Sequence, residues 1–207
     1  MSLRAPALPP ACRQAGQAGQ EIATVASGDL AMTKENNMRA TGISLWLMPE
    51  GKMYEELSLL IKKLAEQNNA PIFQPHVTLL GEVKESQEAV VSKTQKIAKH
   101  HTPFTISFTH IDFEDYFFRA LFLKAQKTDV LSRLNSKTRE VFAMSDLPPY
   151  MPHLSLLYGD FSTLLKENLI RELGREQQYS FLVNAISVVH SNGEAREWKV
   201  IEKIPLG

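Results

Sequence analysis

Apolar positions along this chain switch between a period near 3.6 and a period of two, and the switches outline its elements. The run TGISLWLM, from Thr41, ends at Pro49 and predicts a strand. Residues 52–67 place Met53, Leu57, Leu60, Ile61 and Leu64 on one helical face. A strand containing His76 follows. Residues 85–100 predict a second helix, capped by Ser86 and turned inward at Val90, Ile97 and Ala98. FTISFTHIDF then alternates from Phe104, as a half-buried strand does.

After EDY the pattern runs again. FFRALFLKA predicts a strand, and DVLSRLNSKTREVF a helix with Val130, Leu131, Leu134, Thr138 and Val141 on one face. The proline-rich loop DLPPYM leads into a strand containing His153. Ser162 caps the helix TLLKENLIREL, which Gly174 ends. YSFLVNAISVVH reads as one strand and REWKVIEKI as a last one. The order is β-α-β-α-β, then β-α-β-α-β with an extra strand, which is an internal duplication of elements. The expected fold is α+β, one domain over residues 41–206 with lobes of 41–114 and 115–206.

The first forty residues break this rhythm. MSLRAPALPPACRQAGQAGQ is rich in Ala, Pro, Gly and Gln, lacks periodicity, and has no acid before Glu21. Residues 1–40 are expected to be a disordered extension, with an organelle-targeting segment as the alternative. The 207 residues hold 23 Lys plus Arg against 23 Asp plus Glu, so no global positive field exists to hold a long nucleic acid. Cys12 is the only cysteine, which excludes an internal disulfide and thiolate zinc sites. A reducing compartment fits, and the cytoplasm is expected. No apolar run reaches membrane-spanning length. A monomer is expected.

The two halves also repeat a phrase. PHVTLLGEV begins at Pro75 and PHLSLLYGD at Pro152. On a strand, residues i and i+2 share a face, so His76 goes with Thr78 and His153 with Ser155. Val77, Leu79, Leu154 and Leu156 face the other way. Arranged about a pseudo-two-fold axis, the two pairs line one cleft. Two imidazoles and two hydroxyls suit phosphodiester chemistry without a metal or other cofactor. One neutral ring takes a proton from the nucleophile, and the other, charged, gives one to the leaving oxygen. The hydroxyls bind the non-bridging oxygens. Neither spacing nor composition assigns the two roles to particular rings.

Paired H-x-[ST]-aliphatic phrases in two halves of a chain this long resemble the 2H phosphoesterase superfamily. FQPHVTLLG, MPHLSLLYG and the late HSNGEAREWKVIEKIPL look closest to the cyclic phosphodiesterases of plants and yeast. The resemblance covers residues 41–206. It implies a bilobal fold whose antiparallel sheets line a central cleft, with helices outside. It also implies metal-independent opening of ADP-ribose 1″,2″-cyclic phosphate, from tRNA splicing, and of nucleoside 2′,3′-cyclic phosphates. His76 and His153 match the catalytic pair, and Thr78 and Ser155 the phosphate ligands. Tyr158 matches a substrate-contacting tyrosine, which requires the strand to end or bulge before it.

Rival readings carry less. Zinc needs a third ligand, and only Glu82 and Asp160, at the far ends of the motifs, offer one nearby. A serine nucleophile lacks its G-x-S-x-G elbow. His100 and His101 close a helix, and His110 and His190 stand alone on strands. An RNA-processing relative, a 2′-5′ RNA ligase-like enzyme or a 3′-end exonuclease, would need a basic strip. Lys93, Lys96 and Lys99 share a helix, as a solvated face also does. A binding module without turnover would not need two titratable rings.

Overall fold

The computed structural model describes residues 39–207. The expectations for residues 1–38, including the extension, the targeting segment and Cys12, lie outside the described residues. The elements in chain order are β1 (Ile43–Leu47), α1 (Gly51–Asn68), β2 (Val77–Val83), α2 (Gln87–Ala98) and β3 (Phe104–Asp112). There follow β4 (Leu121–Ala125), α3 (Asp129–Val141), β5 (His153–Leu157) and α4 (Thr163–Leu173). The last three are β6 (Ser180–Val183), β7 (Ala185–His190) and β8 (Lys199–Pro205). Three helices start on a hydroxyl: Ser86, Thr128 and Ser162 accept the N–H of Ala89, Leu131 and Leu165, each at 3.3 Å. Asn69, left-handed at φ 50°, closes α1.

The fold is α+β: an antiparallel sheet in the order β6-β3-β4-β5-β2-β1-β7-β8, with four helices among the described residues. Most neighbouring strands pair over four residues or more. β2 and β5 pair only at Val77↔Leu154. Two four-stranded halves therefore meet at one residue pair. Those halves are not simple halves of the chain, because β3 pairs with β4 and β6, while β7 and β8 lie beyond β1. The helices repeat the exchange: α1 packs on β5 and α3 on β2. Leu79, Leu154 and Leu156 are buried, and the Leu79 carbonyl accepts from the Asn135 amide of α3 at 2.7 Å. That leaves the opposite face of β2 and β5 free for chemistry.

Two sequence-based expectations need correction. FFRALFLKA is not strand throughout: Phe117–Arg119 form a 3-10 turn and β4 begins at Leu121. Tertiary bonds hold that turn, since the Phe117 carbonyl takes the Gly159 N–H at 2.9 Å and the Phe118 carbonyl takes the Ser155 hydroxyl at 2.7 Å. YSFLVNAISVVH is two strands broken at Asn184. β6 pairs with β3 and β7 with β1, so the two pieces serve opposite ends of the sheet. Alternation specifies a face and not a neighbour, so the break left no mark on the pattern.

Candidate active site

The junction of the two half-sheets is also where the repeated phrases meet. Val77 faces Leu154 with both side chains in the core. Counting outward in antiparallel register puts His76 across from Ser155 and Thr78 across from His153. Pro75 and Pro152 precede the histidines and cannot donate to a ladder, which suits a strand start.

Each imidazole is anchored in the same way. His76 Nδ1 lies 2.7 Å from the Gln74 carbonyl, and His153 Nδ1 lies 2.9 Å from the Met151 carbonyl, two residues back in both cases. A carbonyl only accepts, so Nδ1 carries the proton in each ring. In the neutral form Nε2 then holds the free lone pair. Each ring also rests on an aromatic side chain from the adjacent strand. Trp46 stacks on His76 with centroids 3.7 Å apart and planes 10° off parallel. Phe122 meets His153 edge-on at 5.2 Å. Trp46 pairs across from Thr78, and Phe122 across from Ser155, so the duplication extends to the supporting rings.

Burial sets the charge state. His76 is 7% exposed, and desolvation pushes its pKa down to about 4. Its bond to the Gln74 carbonyl works against this shift, and His153 adds to it. His153 is only half-buried. Burial lowers its pKa as well, opposed by the Met151 carbonyl, with Arg119 lowering and Glu114 raising it further. Both rings are therefore neutral at neutral pH.

The structure brings His76, Thr78, His153, Ser155 and Tyr158 to one cavity of about 250 Å³. The Thr78 hydroxyl has no hydrogen-bond partner among the described residues. The Ser155 hydroxyl donates to the Phe118 carbonyl at 2.7 Å. β5 ends at Leu157, so Tyr158 escapes the alternation that would have turned it away. Its ring stacks on Phe73 at 3.6 Å, and burial raises its phenol, keeping it a neutral donor. His101, His110 and His190 bond locally and do not line the cavity.

The cavity has further walls that sequence reasoning missed. Ser44, Glu82, Tyr116, Arg119, Ser191 and Trp198 line it together with Phe118. Trp46 and Ser44 sit at i and i+2 on β1, but that strand is buried on both faces, so no polar alternation flags them. Trp198, Tyr116 and Arg119 stand on turns, where no period operates. Arg119 is ion-paired with Glu114 at 2.8 Å and lies 4.8 Å from the Tyr116 ring centroid. Among the described residues no group of three His, Cys, Asp or Glu is placed to hold a metal ion. Nor, among them, is any helix long and apolar enough to cross a membrane.

Known proteins resemble this chain in sequence and in fold. The family model for cyclic phosphodiesterase-like proteins matches residues 41–206. A cyclic phosphodiesterase of Arabidopsis thaliana is 26% identical over 60% of this chain and 69% of its own length. A 2′,3′-cyclic-nucleotide 3′-phosphodiesterase of Phaeosphaeria nodorum is 30% identical over 58% of this chain and 69% of its own. Among solved structures, TT0787 of Thermus thermophilus superposes with a TM-score of 0.58 at 16% identity, covering 82% of this chain and 98% of that one. This last likeness speaks to fold alone.

Proposed function

Since the chain belongs to the cyclic phosphodiesterase-like family, a family of hydrolases, we propose that it opens nucleoside 2′,3′-cyclic phosphates and ADP-ribose 1″,2″-cyclic phosphate to phosphomonoesters, with His76 and His153 as its acid–base pair. The observation that carries this reading is the matched pair of Nδ1-anchored imidazoles at the junction of two half-sheets, each with a hydroxyl two residues on. The resemblance links such substrates to tRNA splicing and RNA metabolism.

The cyclic phosphate sits between the rings, with Thr78, Ser155 and the Tyr158 phenol donating to its oxygens. Its negative charge favours a protonated ring, so the pair gains one proton when the phosphate binds. His76 is the more deeply buried ring, so that proton resides on His153. Nε2 of neutral His76 takes a proton from a water whose oxygen attacks phosphorus. The bond from phosphorus to one ribose oxygen breaks as His153 gives that oxygen its proton. His76 ends charged and His153 neutral, and one proton exchange with solvent resets the pair. Arg119 is the one Lys or Arg in the cavity wall among the described residues, which suits a small nucleotide better than a long chain.

The test is phosphomonoester release from the four 2′,3′-cyclic nucleotides and from ADP-ribose 1″,2″-cyclic phosphate, in the presence of EDTA. His76→Ala and His153→Ala should each lower kcat by about two to four orders of magnitude. The double variant should lose little more, because the pair acts as a unit. Near-full turnover in either single variant, or inactivation by EDTA that zinc reverses, sinks the reading.

A further inference from the structure

One feature of the cavity wall has no part in opening a cyclic phosphate. β1 and β2 pair at Ile43↔Val83 and again at Leu45↔Leu80. Between those pairs Ser44 alone faces both Gly81 and Glu82, which is a β-bulge. Glu82 takes the extra position at φ 59°, a left-handed conformation that non-glycine residues rarely adopt. Such strain persists where surrounding structure imposes it, and it gathers at binding sites. The bulge leaves Glu82 in the cavity wall, and its carboxylate has no ion pair or hydrogen bond among the described residues. The cavity's cation, Arg119, belongs to the other half-sheet and is already paired with Glu114.

The hydroxyls opposite the bulge add to the same chemistry. Ser191 Oγ donates to the Gly42 carbonyl at 3.3 Å, which uses its single proton. With Ser191 donating there, Ser44 Oγ, 2.7 Å from Ser191 Oγ, is the donor of the bond between the two hydroxyls. Its remaining capacity is to accept. Ser44 is 7% exposed and lines the cavity. This end of the cavity thus presents a carboxylate and a hydroxyl oxygen, both acceptors with no proton to give. It is built for a ligand edge that carries N–H groups. A phosphate is the wrong partner here. The phosphate grip proposed at Thr78 lies four residues back along the strand.

Resting on the function proposed above, we propose that Glu82, with Ser44, is the base-reading edge of the site and selects guanosine 2′,3′-cyclic phosphate. Guanine presents an N1–H and a 2-amino group side by side, which a carboxylate accepts from both at once. Adenine and cytosine present one amino group beside a ring nitrogen that itself only accepts and faces the carboxylate unfavourably. Uracil's single N–H lies between two carbonyls that the carboxylate repels. The order is guanosine, then adenosine and cytidine, then uridine. Trp198 and Phe118, with rings 6.0 Å apart, give the base its apolar walls.

The experiment compares kcat/KM for the four 2′,3′-cyclic nucleotides and the inosine analogue, in wild type, Glu82→Gln and Glu82→Gly. Wild type should favour guanosine over uridine about ten- to a hundredfold, the usual reach of one bidentate base contact. It should also favour guanosine over inosine, which lacks the 2-amino group. Both preferences should collapse in the two variants, with Glu82→Gln moving toward adenosine, whose donor–acceptor edge a carboxamide matches. Glu82→Gly suits the left-handed backbone, so folding survives, and a melting curve checks this. Equal guanosine-to-uridine ratios in wild type and both variants overturn the proposal, as does a wild type with no base preference. If wild type turns over none of the five nucleotides, the functional reading itself fails and this inference falls with it. That result differs from turnover without discrimination.

Discussion

At the scale of single residues, the two hydroxyls are alike in sequence offset but not in state. Among the described residues the Thr78 hydroxyl has no partner, whereas Ser155 has given its proton to the Phe118 carbonyl at 2.7 Å. A phosphate oxygen needs a donor. Thr78 can serve at once, but Ser155 must turn away from Phe118 and leave that carbonyl unpaired. Thr78→Val keeps the β-branched shape and should cost about 1–3 kcal/mol of transition-state stabilisation, with the melting temperature nearly unchanged. Ser155→Ala should cost less in kcat/KM, because the bond it would make to phosphate is offset by the bond it breaks. Steady-state kinetics alongside melting curves decide the matter. A Thr78→Val protein with wild-type kcat/KM would refute the phosphate role, and a larger loss at Ser155 would refute the ordering.

At the scale of elements, the site depends on a turn that the sequence pattern hid. Phe117–Arg119 supplies the Phe118 carbonyl and Arg119, and the residues before it are held by Lys166 from α4. The Lys166 side chain is buried. Its ammonium bonds the Asp115 carboxylate, donates to the Glu114 carbonyl at 3.2 Å, and lies 4.9 Å from the Phe113 ring centroid. Lys166→Met removes a buried charge but keeps most of the volume, so stability should change by no more than about 1 kcal/mol. The loosened loop should still raise KM for a cyclic nucleotide, and Lys166→Arg should restore part of it. An unchanged KM in Lys166→Met would mean that the lysine only packs. The hydrophobic period revealed the helices and most strands, because a buried face repeats along an element. The repeated phrase singled out His76, Thr78, His153 and Ser155, and the fold brings all four to one cavity. Arg119, Tyr116 and Trp198 stayed hidden, since turns obey no period and the sequence does not say which turns meet. Ser44 and Trp46 stayed hidden because β1 is buried on both faces.

At the scale of the whole molecule, His76 and His153 sit where the two half-sheets join, so their protonation is coupled to folding. The unfolded chain binds a proton at each histidine near pH 6.5. In the folded chain burial lowers both values, with His76 down to about 4. Between those limits the unfolded state holds more protons, so stability is fully present above pH 6.5 and falls as the pH drops toward 4. A shift of that size at His76 amounts to roughly 3 kcal/mol over the window, and His153 adds to it with the same sign. Carboxylates bring their own acid dependence, so the informative quantity is a difference between variants. Denaturant melts at pH 7 and pH 4.5 should give His76→Gln a smaller acid loss than wild type, by about 2 kcal/mol or more. Inorganic phosphate should shrink the wild-type loss, because an anion between the rings favours the protonated state that burial opposes. It should do less for His76→Gln, which retains one titrating ring. Parallel pH dependences for the two proteins, without and with phosphate, would mean that the imidazoles are not desolvated as the fold places them.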